Sequence, residues 1–374
     1  MIDVVSFVNC LKREGVDFFT GVPDSLLKSF CSYLTDNCAQ NHVIAANEGG
    51  AVGLAAGHYL ATGKQALVYM QNSGQGNAVN PLCSLADPDV YSIPMVLLVG
   101  WRGEPGVKDE PQHIKQGKIT VSLFETLGIP TEILPDDEYM ALVLTQKMLE
   151  RAKSERRPVA LVVRKGLFAE YKLQNKEPDI ADLKREDVIE GILKSLESGA
   201  VVVSTTGMIS REVYETRERL GQGHEHDFLT VGSMGHALMI ATGIAKAQPK
   251  RHVVCIDGDG ASIMQMGNMA IAGCSGCGNL LHIVLNNSAH DSVGGQPTVG
   301  GKIDLTEIAR RVGYACGNPN DWPIAIHDFF AREHASPVFL EIKVAKGARK
   351  DLGRPKEPPQ VNKALFMKTL EVEQ

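Results

Sequence analysis

The chain contains no apolar run long enough to cross a bilayer. Its longest, such as Met95 to Val99, are a few residues, whereas a spanning helix needs about 20. No basic residue precedes Asp3, and the residues after it alternate as an amphipathic helix does, so no signal peptide is expected. An excess of positive charge is also missing: the formal net charge is -6, which gives no general attraction for nucleic acid. A second CxxC is absent. Cys274 and Cys277 form a lone pair with no neighbouring histidine pair, so packing is expected there rather than zinc. The eight cysteines, most inside apolar runs such as that around Cys255, read as reduced thiols of a cytoplasmic protein. Two phosphate motifs fail as well. Gln296 stands where a P-loop needs its first glycine and Ile303 where it needs Ser or Thr, while Ile263 spoils completion of Gly258-Asp259-Gly260 as GxGxxG. A nicotinamide cofactor is therefore not expected.

What is present is the composition of a globular protein, 44% hydrophobic and 22% charged, at 374 residues, a length for two domains. Val16–Thr20, His42–Ala46, Ala66–Met70, Ile93–Val99 and Pro158–Val163 read as strands. They alternate with helical segments over 2–14, from Asn47-Glu48-Gly49-Gly50 to near Gly63, and over 136–152, which argues for a parallel α/β sheet. Asp24 or Ser25 is placed to cap the helix after the first strand, and His113 falls in a looser polar stretch.

The second half repeats this order. Ala200–Ser204, Phe228–Val231, the run before Asp257, Leu281–Leu285 and Pro337–Ile342 read as its strands. Thr205 lies 185 residues after Thr20, Ile256 lies 186 after Met70, and Asn286 lies 186 after Gly100. Nearly constant offsets mark an internal duplication of a whole domain. The expected fold is α/β: two duplicated domains, residues 1–175 and 186–374, each a mainly parallel sheet flanked by helices, joined by a polar linker at 176–185.

The most informative stretch runs from Gly258 to Asn287. Gly258-Asp259-Gly260 follows one apolar run, and Asn286-Asn287 follows the next. If the two strands are neighbours in a parallel sheet, joined by the Ala/Met-rich segment as one crossover helix, Asp259 and Asn287 emerge together at its carboxyl edge. Oxygen-bearing side chains there suit magnesium, and a glycine-flanked turn into a helix suits a phosphate.

With 25 residues between Gly260 and Asn286, this stretch resembles the thiamine diphosphate motif. Asn47-Glu48 before a Gly/Ala helix resembles the glutamate that activates that cofactor's aminopyrimidine. The halves are thus similar to the pyrimidine-binding and diphosphate-binding domains of thiamine diphosphate enzymes. Gly21–Leu27, the loop Gln71–Asn77, Gly100–Gly106 with Glu110–His113, and Asn286–Thr298 resemble phosphonopyruvate decarboxylases, with sulfopyruvate decarboxylases as near relatives.

The resemblance implies roles residue by residue. Asp259, Asn287 and the Ala289 carbonyl would hold magnesium. Gly260, Ala261, Ser262 and Asn287, with Thr206 and Gly207, would meet the diphosphate. Gly232, Ser233 and Met234 would meet the bent body of the cofactor, Met234 as the residue on which it folds. Glu48 would bond the pyrimidine, Asp24 and His113 would be acid/base groups, and Arg102, Lys108 and Lys115 would be the cations near a dianionic substrate. The implied activity is non-oxidative decarboxylation of 3-phosphonopyruvate to phosphonoacetaldehyde and carbon dioxide. Sulfopyruvate is the alternative substrate, and a non-catalytic thiamine diphosphate-binding regulator is an alternative of another class. A homo-oligomer sharing its active sites between subunits is implied too, with no nucleic-acid or membrane partner.

Overall fold

A computed structural model describes residues 1–371, so the last three residues of the 186–374 span lie outside the described part. The chain divides into two compact units: Met1–Lys176 with Val293–Gln296, and Glu177–Ser292 with the residues from Pro297 onward.

The first unit is built on six strands: β1 (Phe18–Gly21), β2 (His42–Ile44), β3 (Ala66–Gln71), β4 (Val96–Gly100), β5 (Thr131–Ile133) and β6 (Val159–Val163). Every pairing between them is parallel, in the order β2-β1-β3-β4-β6-β5. The central runs are apolar throughout because both faces of the sheet are covered. Val96 and Leu98 of β4 join one apolar cluster while Leu97 and Val99 join another, as the alternation of side chains along a strand requires. The edge strand β5 was not expected; three residues of mixed polarity at a sheet edge leave little apolar signal.

The second unit repeats the architecture with β7 (Val201–Ser204), β8 (Asp227–Leu229), β9 (Val253–Gly258), β10 (Leu280–Asn286), β11 (Ala315–Cys316) and β12 (Val338–Lys343). Their parallel order is β11-β12-β10-β9-β7-β8. Numbered from the first strand of each half, both sheets read 2-1-3-4-6-5. In both, the direction of winding reverses between the first and third strands. Crevices at such switch points, outside the carboxyl ends of the strands, are where open α/β sheets bind ligands.

Three local expectations need correcting. Asp24 caps no helix: the helix after β1 starts only at Lys28, and Asp24 is fully buried. His113 is no plain surface residue of a loop; it is buried on the helix Pro111–Thr126, which begins with proline at its first position. The segment between β9 and β10 is not one crossover helix but two short ones, Asp259–Met264 and Gly267–Gly273. Among the described residues no helix is long and apolar enough to cross a membrane.

Candidate active site

In the first unit, Glu48 is the first residue of the helix Glu48–Thr62. Asn47 caps that helix through its side chain, which accepts from the Gly50 amide at 2.9 Å, a contact worth about 1 kcal/mol. The cap fixes where the helix begins and so where Glu48 stands in its first turn. That carboxyl is 4% exposed and accepts from the Asn77 amide, Nδ2 to Oε2, at 2.8 Å. Burial pushes its pKa up and the Asn77 bond opposes the rise. The chain at Gly74 passes so close that a Cβ there would lie 2.2 Å from Glu48 Oε1. Asn77 and Gly74 belong to a stretch that is helical, Asn72–Gly74 and then Gln75–Pro81, rather than an open loop.

Asp24 stands at the switch point of the same sheet. Its Oδ1 accepts from Gln71 Nε2 at 2.7 Å and its Oδ2 from the Leu26 amide at 3.0 Å. A Cβ at Gly100 would meet Oδ2 at 2.0 Å, so the glycine at the end of β4 is a steric requirement. Desolvation raises the Asp24 pKa, against the Gln71 and Leu26 bonds and the nearby Arg102. Ser73 donates to Gln71 Oε1 at 2.8 Å. One short segment, Gln71–Asn77, thus holds both buried acids.

Arg102 is less free than a substrate cation would be. Its Nε and Nη2 form a bidentate pair with Asp109 at 2.8 and 2.5 Å, and Nη1 donates to Ser25 at 3.0 Å. The guanidinium holds Asp109 down at about 2. His113 lies within the field of this pair, and desolvation, with Arg102 beside it, lowers its pKa to about 4. It is therefore neutral at ordinary pH, and its Nδ1 has no hydrogen-bond partner. Lys108 and Lys115 are exposed.

In the second unit β9 and β10 are parallel neighbours, Gly258 opposite Leu285, so Asp259 and Asn287 emerge from the sheet side by side. Asp259 is 2% exposed, and burial pushes its pKa up to about 6. The Thr298 hydroxyl donates to Oδ2. Among the described residues no cation is paired with it. A buried carboxylate in that state is costly unless a positive charge joins it. Asn287 donates from Nδ2 to Asp291 Oδ2 at 2.6 Å, and its Oδ1 accepts from the Ala289 amide at 3.0 Å. Arg185 in turn holds Asp291 at 3.0 Å while paired bidentately with Glu212 at 2.7 and 2.9 Å. This chain of contacts fixes which way the Asn287 amide faces. Asn286 points elsewhere: it is fully buried, donating to Gly300 O at 2.8 Å and Glu341 at 2.7 Å.

Several of the other expected residues lie near Asp259. A Cβ on Gly260 would lie 3.6 Å from Met234 Cε and 3.3 Å from the His290 ring, and one on Gly235 would lie 3.1 Å from Ala261 O. Ser233, beside Met234, has φ of +52°, a conformation that a non-glycine residue adopts only when its surroundings impose it. Ile209, just after Thr206 and Gly207, comes within 3.5 Å of the space above Gly258. Ser262 donates to Asp257 Oδ2 at 3.3 Å. The Thr205 hydroxyl, 4% exposed, has no hydrogen-bond partner. Oxygen donors from Asp259, Asn287 and the backbone, with an uncompensated buried carboxylate among them, fit a hard divalent cation. Sequence reasoning missed Asn77, Gln71, Thr298, Asp291 and His290 as members of these sites.

The comparisons agree with this fold. Residues 5–122 match the N-terminal TPP binding domain of thiamine pyrophosphate enzymes, and residues 205–342 match their C-terminal TPP binding domain. The chain belongs to the thiamine pyrophosphate enzymes, and its cofactor is thiamine diphosphate. Within that family it is 33% identical to phosphonopyruvate decarboxylase of Streptomyces hygroscopicus, over 96% of this chain and 92% of that one. It is 34% identical to the phosphonopyruvate decarboxylase of Streptomyces viridochromogenes with the same coverage. It is 27% identical to sulfopyruvate decarboxylase of Methanosarcina acetivorans, over 98% of this chain and 97% of that one.

Proposed function

We propose that this enzyme decarboxylates 3-phosphonopyruvate to phosphonoacetaldehyde and carbon dioxide. The single observation that carries the reading is identity of 33% and 34% to phosphonopyruvate decarboxylases over nearly the whole chain, against 27% to the sulfopyruvate enzyme. Thiamine diphosphate, when bound, supplies a nucleophilic thiazolium carbon for the 2-oxo group and a sink for the electrons that departing carbon dioxide leaves behind. Scission between C1 and C2 leaves the carbon–phosphorus bond intact.

The chain's own residues do the rest. Asp259, Asn287 and the Ala289 carbonyl would hold magnesium, and Gly260, Ala261, Ser262, Thr206 and Gly207 would meet the diphosphate. Met234, with Gly232 and Ser233, would support the body of the cofactor. Glu48, buried and steadied by Asn77, would face the pyrimidine and hold or release a proton there. Asp24, its pKa raised by burial, is suited to deliver a proton to the product carbon, and neutral His113 to orient the substrate. Since Arg102 is neutralised by Asp109, Lys108 and Lys115 are the uncommitted cations for the phosphonate. Residues 1–175 serve as the pyrimidine-binding domain and 186–374 as the diphosphate-binding domain. The active unit is a cytoplasmic homo-oligomer in which the first domain of one subunit completes the second domain of another.

The test is turnover of phosphonopyruvate, sulfopyruvate and pyruvate side by side with added magnesium and thiamine diphosphate. Phosphonopyruvate is expected to give the highest kcat/KM. A preference for sulfopyruvate overturns the substrate, and bound cofactor without turnover of any 2-oxo acid favours a regulator.

A further inference from the structure

Behind Asp259, three side chains that the cofactor chemistry does not use meet inside the second sheet. Cys255 and Asp257 stand two residues apart on β9, so they leave the same face. His282 is the register partner of Cys255 on β10. The Cys255 sulfur, a carboxylate oxygen of Asp257 and an imidazole nitrogen of His282 all lie within 4.8 Å of one another. Among the described residues this is the only such grouping of three metal-ligating side chains. All three residues are at most 1% exposed.

The layer around them is apolar, formed by Val253, Leu280, Val284, Met269 and Phe339. Polar groups in such a layer are normally paired, yet neither ring nitrogen of His282 has a hydrogen-bond partner. Its Nε2 is 3.8 Å from Asp257 Oδ2, too far for a hydrogen bond. The Tyr314 hydroxyl in the same layer, 4% exposed, is also without a partner. His282 and Tyr314 have ring centroids 6.2 Å apart.

We propose that Cys255, Asp257 and His282 form a buried structural site for zinc, separate from the oxygen-lined magnesium site. Charge supports this choice: a thiolate, a carboxylate and a neutral imidazole around one divalent ion sum to zero, the least costly state in an apolar layer. Ligand softness supports it too, since sulfur and imidazole select zinc over magnesium. Tetrahedral bonds of about 2.0–2.3 Å place ligand atoms roughly 3.3–3.8 Å apart, so the side chains close by about 1 Å on binding. Tyr314 offers a fourth donor. The ion would tie β9 to β10. Through the Ser262 hydroxyl on Asp257 it would also steady the start of the segment that carries Asp259.

The experiment measures metal content of the full chain, purified without chelator in excess magnesium, by mass spectrometry, with folding followed by circular dichroism. About one zinc per chain is expected, falling at least tenfold in Cys255→Ser and in His282→Asn. Asp259→Asn and Cys316→Ser should keep it. As a second measurement on the wild-type chain, stripping and reloading with cobalt should give the thiolate-to-cobalt charge-transfer band. Folded wild-type chain that takes up neither zinc nor cobalt overturns the proposal. So does zinc retained when Cys255 or His282 is replaced, or zinc lost only with Asp259.

Discussion

At the end of β3 in the first sheet stands Gln71, whose amide donates to the buried carboxyl of Asp24. At the same point of the second sheet, β9 runs through Gly258 into Asp259, whose carboxyl accepts a hydroxyl and amides and has no cation paired with it among the described residues. The strand order around both points is identical. Both first strands even end near a buried threonine hydroxyl without a partner, Thr20 and Thr205. What differs is the partner given to each buried acid. Asp24 and Glu48 each receive a side-chain amide, from Gln71 and Asn77. Asp259 instead receives the Thr298 hydroxyl and backbone amides, and Asn287 emerges beside it at the same sheet edge. Amide donors tune a proton, whereas a cluster of oxygens attracts a metal ion. On the proposed function, one duplicated scaffold yields a proton-handling edge and a cation-holding edge by exchanging a few neighbours of a carboxylate.

The sharpest way to break this comparison is Glu48→Gln. It keeps the shape and the Asn77 neighbour but removes the ionisable group. Turnover should fall about 10²- to 10⁴-fold, while thiamine diphosphate affinity, measured by calorimetry, stays within a few-fold. Turnover near that of wild type would remove Glu48 from proton handling.

Asp259→Asn should do the reverse, costing cofactor retention rather than the chemical step. Magnesium-dependent binding is expected to weaken by at least about 100-fold, since even outer partners of a metal are worth 10- to 100-fold. The cofactor-free protein should behave oppositely. A carboxyl whose pKa is about 6 in the folded chain and about 3.9 unfolded binds more protons when folded, so its contribution to stability is lost as pH rises from about 4 to 6. Removing the charge should stabilise the cofactor-free chain above pH 6 by roughly 2–3 kcal/mol. Denaturant melts at pH 5 and pH 7.5 check this; equal effects at both pH values would refute it. Magnesium affinity in the wild type should decline below about pH 6, where the carboxyl takes up its proton.

Much of this edge could be read before the fold was known, and the reason is local. β9 and β10 are short apolar runs covered on both faces with Asp259 and Asn287 immediately beyond them, and Glu48 opens a capped Gly/Ala helix shortly after β2, so a linear reading singles them out as candidates. The partners are another matter. Thr298 reaches Asp259 from 39 residues away, Asn77 reaches Glu48 from 29, and Arg185 reaches Asp291 from 106. No periodicity encodes such pairs. Polar residues in glycine-rich segments look like solvated loops, which is why Gln71–Asn77 and the stretch around His113 read as irregular. Burial of Asp24, too, comes from Gly100 on another strand, and the same aspartate in sequence looks like a helix cap. Arg102 reads as a free cation because its partner, Asp109, lies in a charged run.

A milder test concerns the outer contacts of the metal edge. Asp291→Ala removes the acceptor that orients the Asn287 amide and leaves Arg185 with Glu212. Magnesium affinity should drop about 10- to 100-fold with kcat at saturating metal nearly unchanged. A kcat loss that saturating magnesium does not restore would mean that Asp291 acts on the chemistry itself.

The smallest expected effect is the most telling about the proton-handling edge. Asn77→Ala deletes the 2.8 Å bond to Glu48, worth roughly 1–1.5 kcal/mol, so kcat should fall about tenfold. The sign of the accompanying pH change separates positioning from packing. Asn77 donates to the carboxylate and lowers a pKa that burial has raised. Without it the Glu48 carboxyl holds its proton to higher pH, and the limb of the pH–rate profile set by Glu48 must move to higher pH. Asn77→Asp, which places a second carboxyl beside the first, should move that limb further in the same direction, because two adjacent carboxylates resist double ionisation. A uniform loss of rate with an unmoved profile in both variants would mean that Asn77 merely fills space, and that burial alone sets the acid on which the first half of the chain depends.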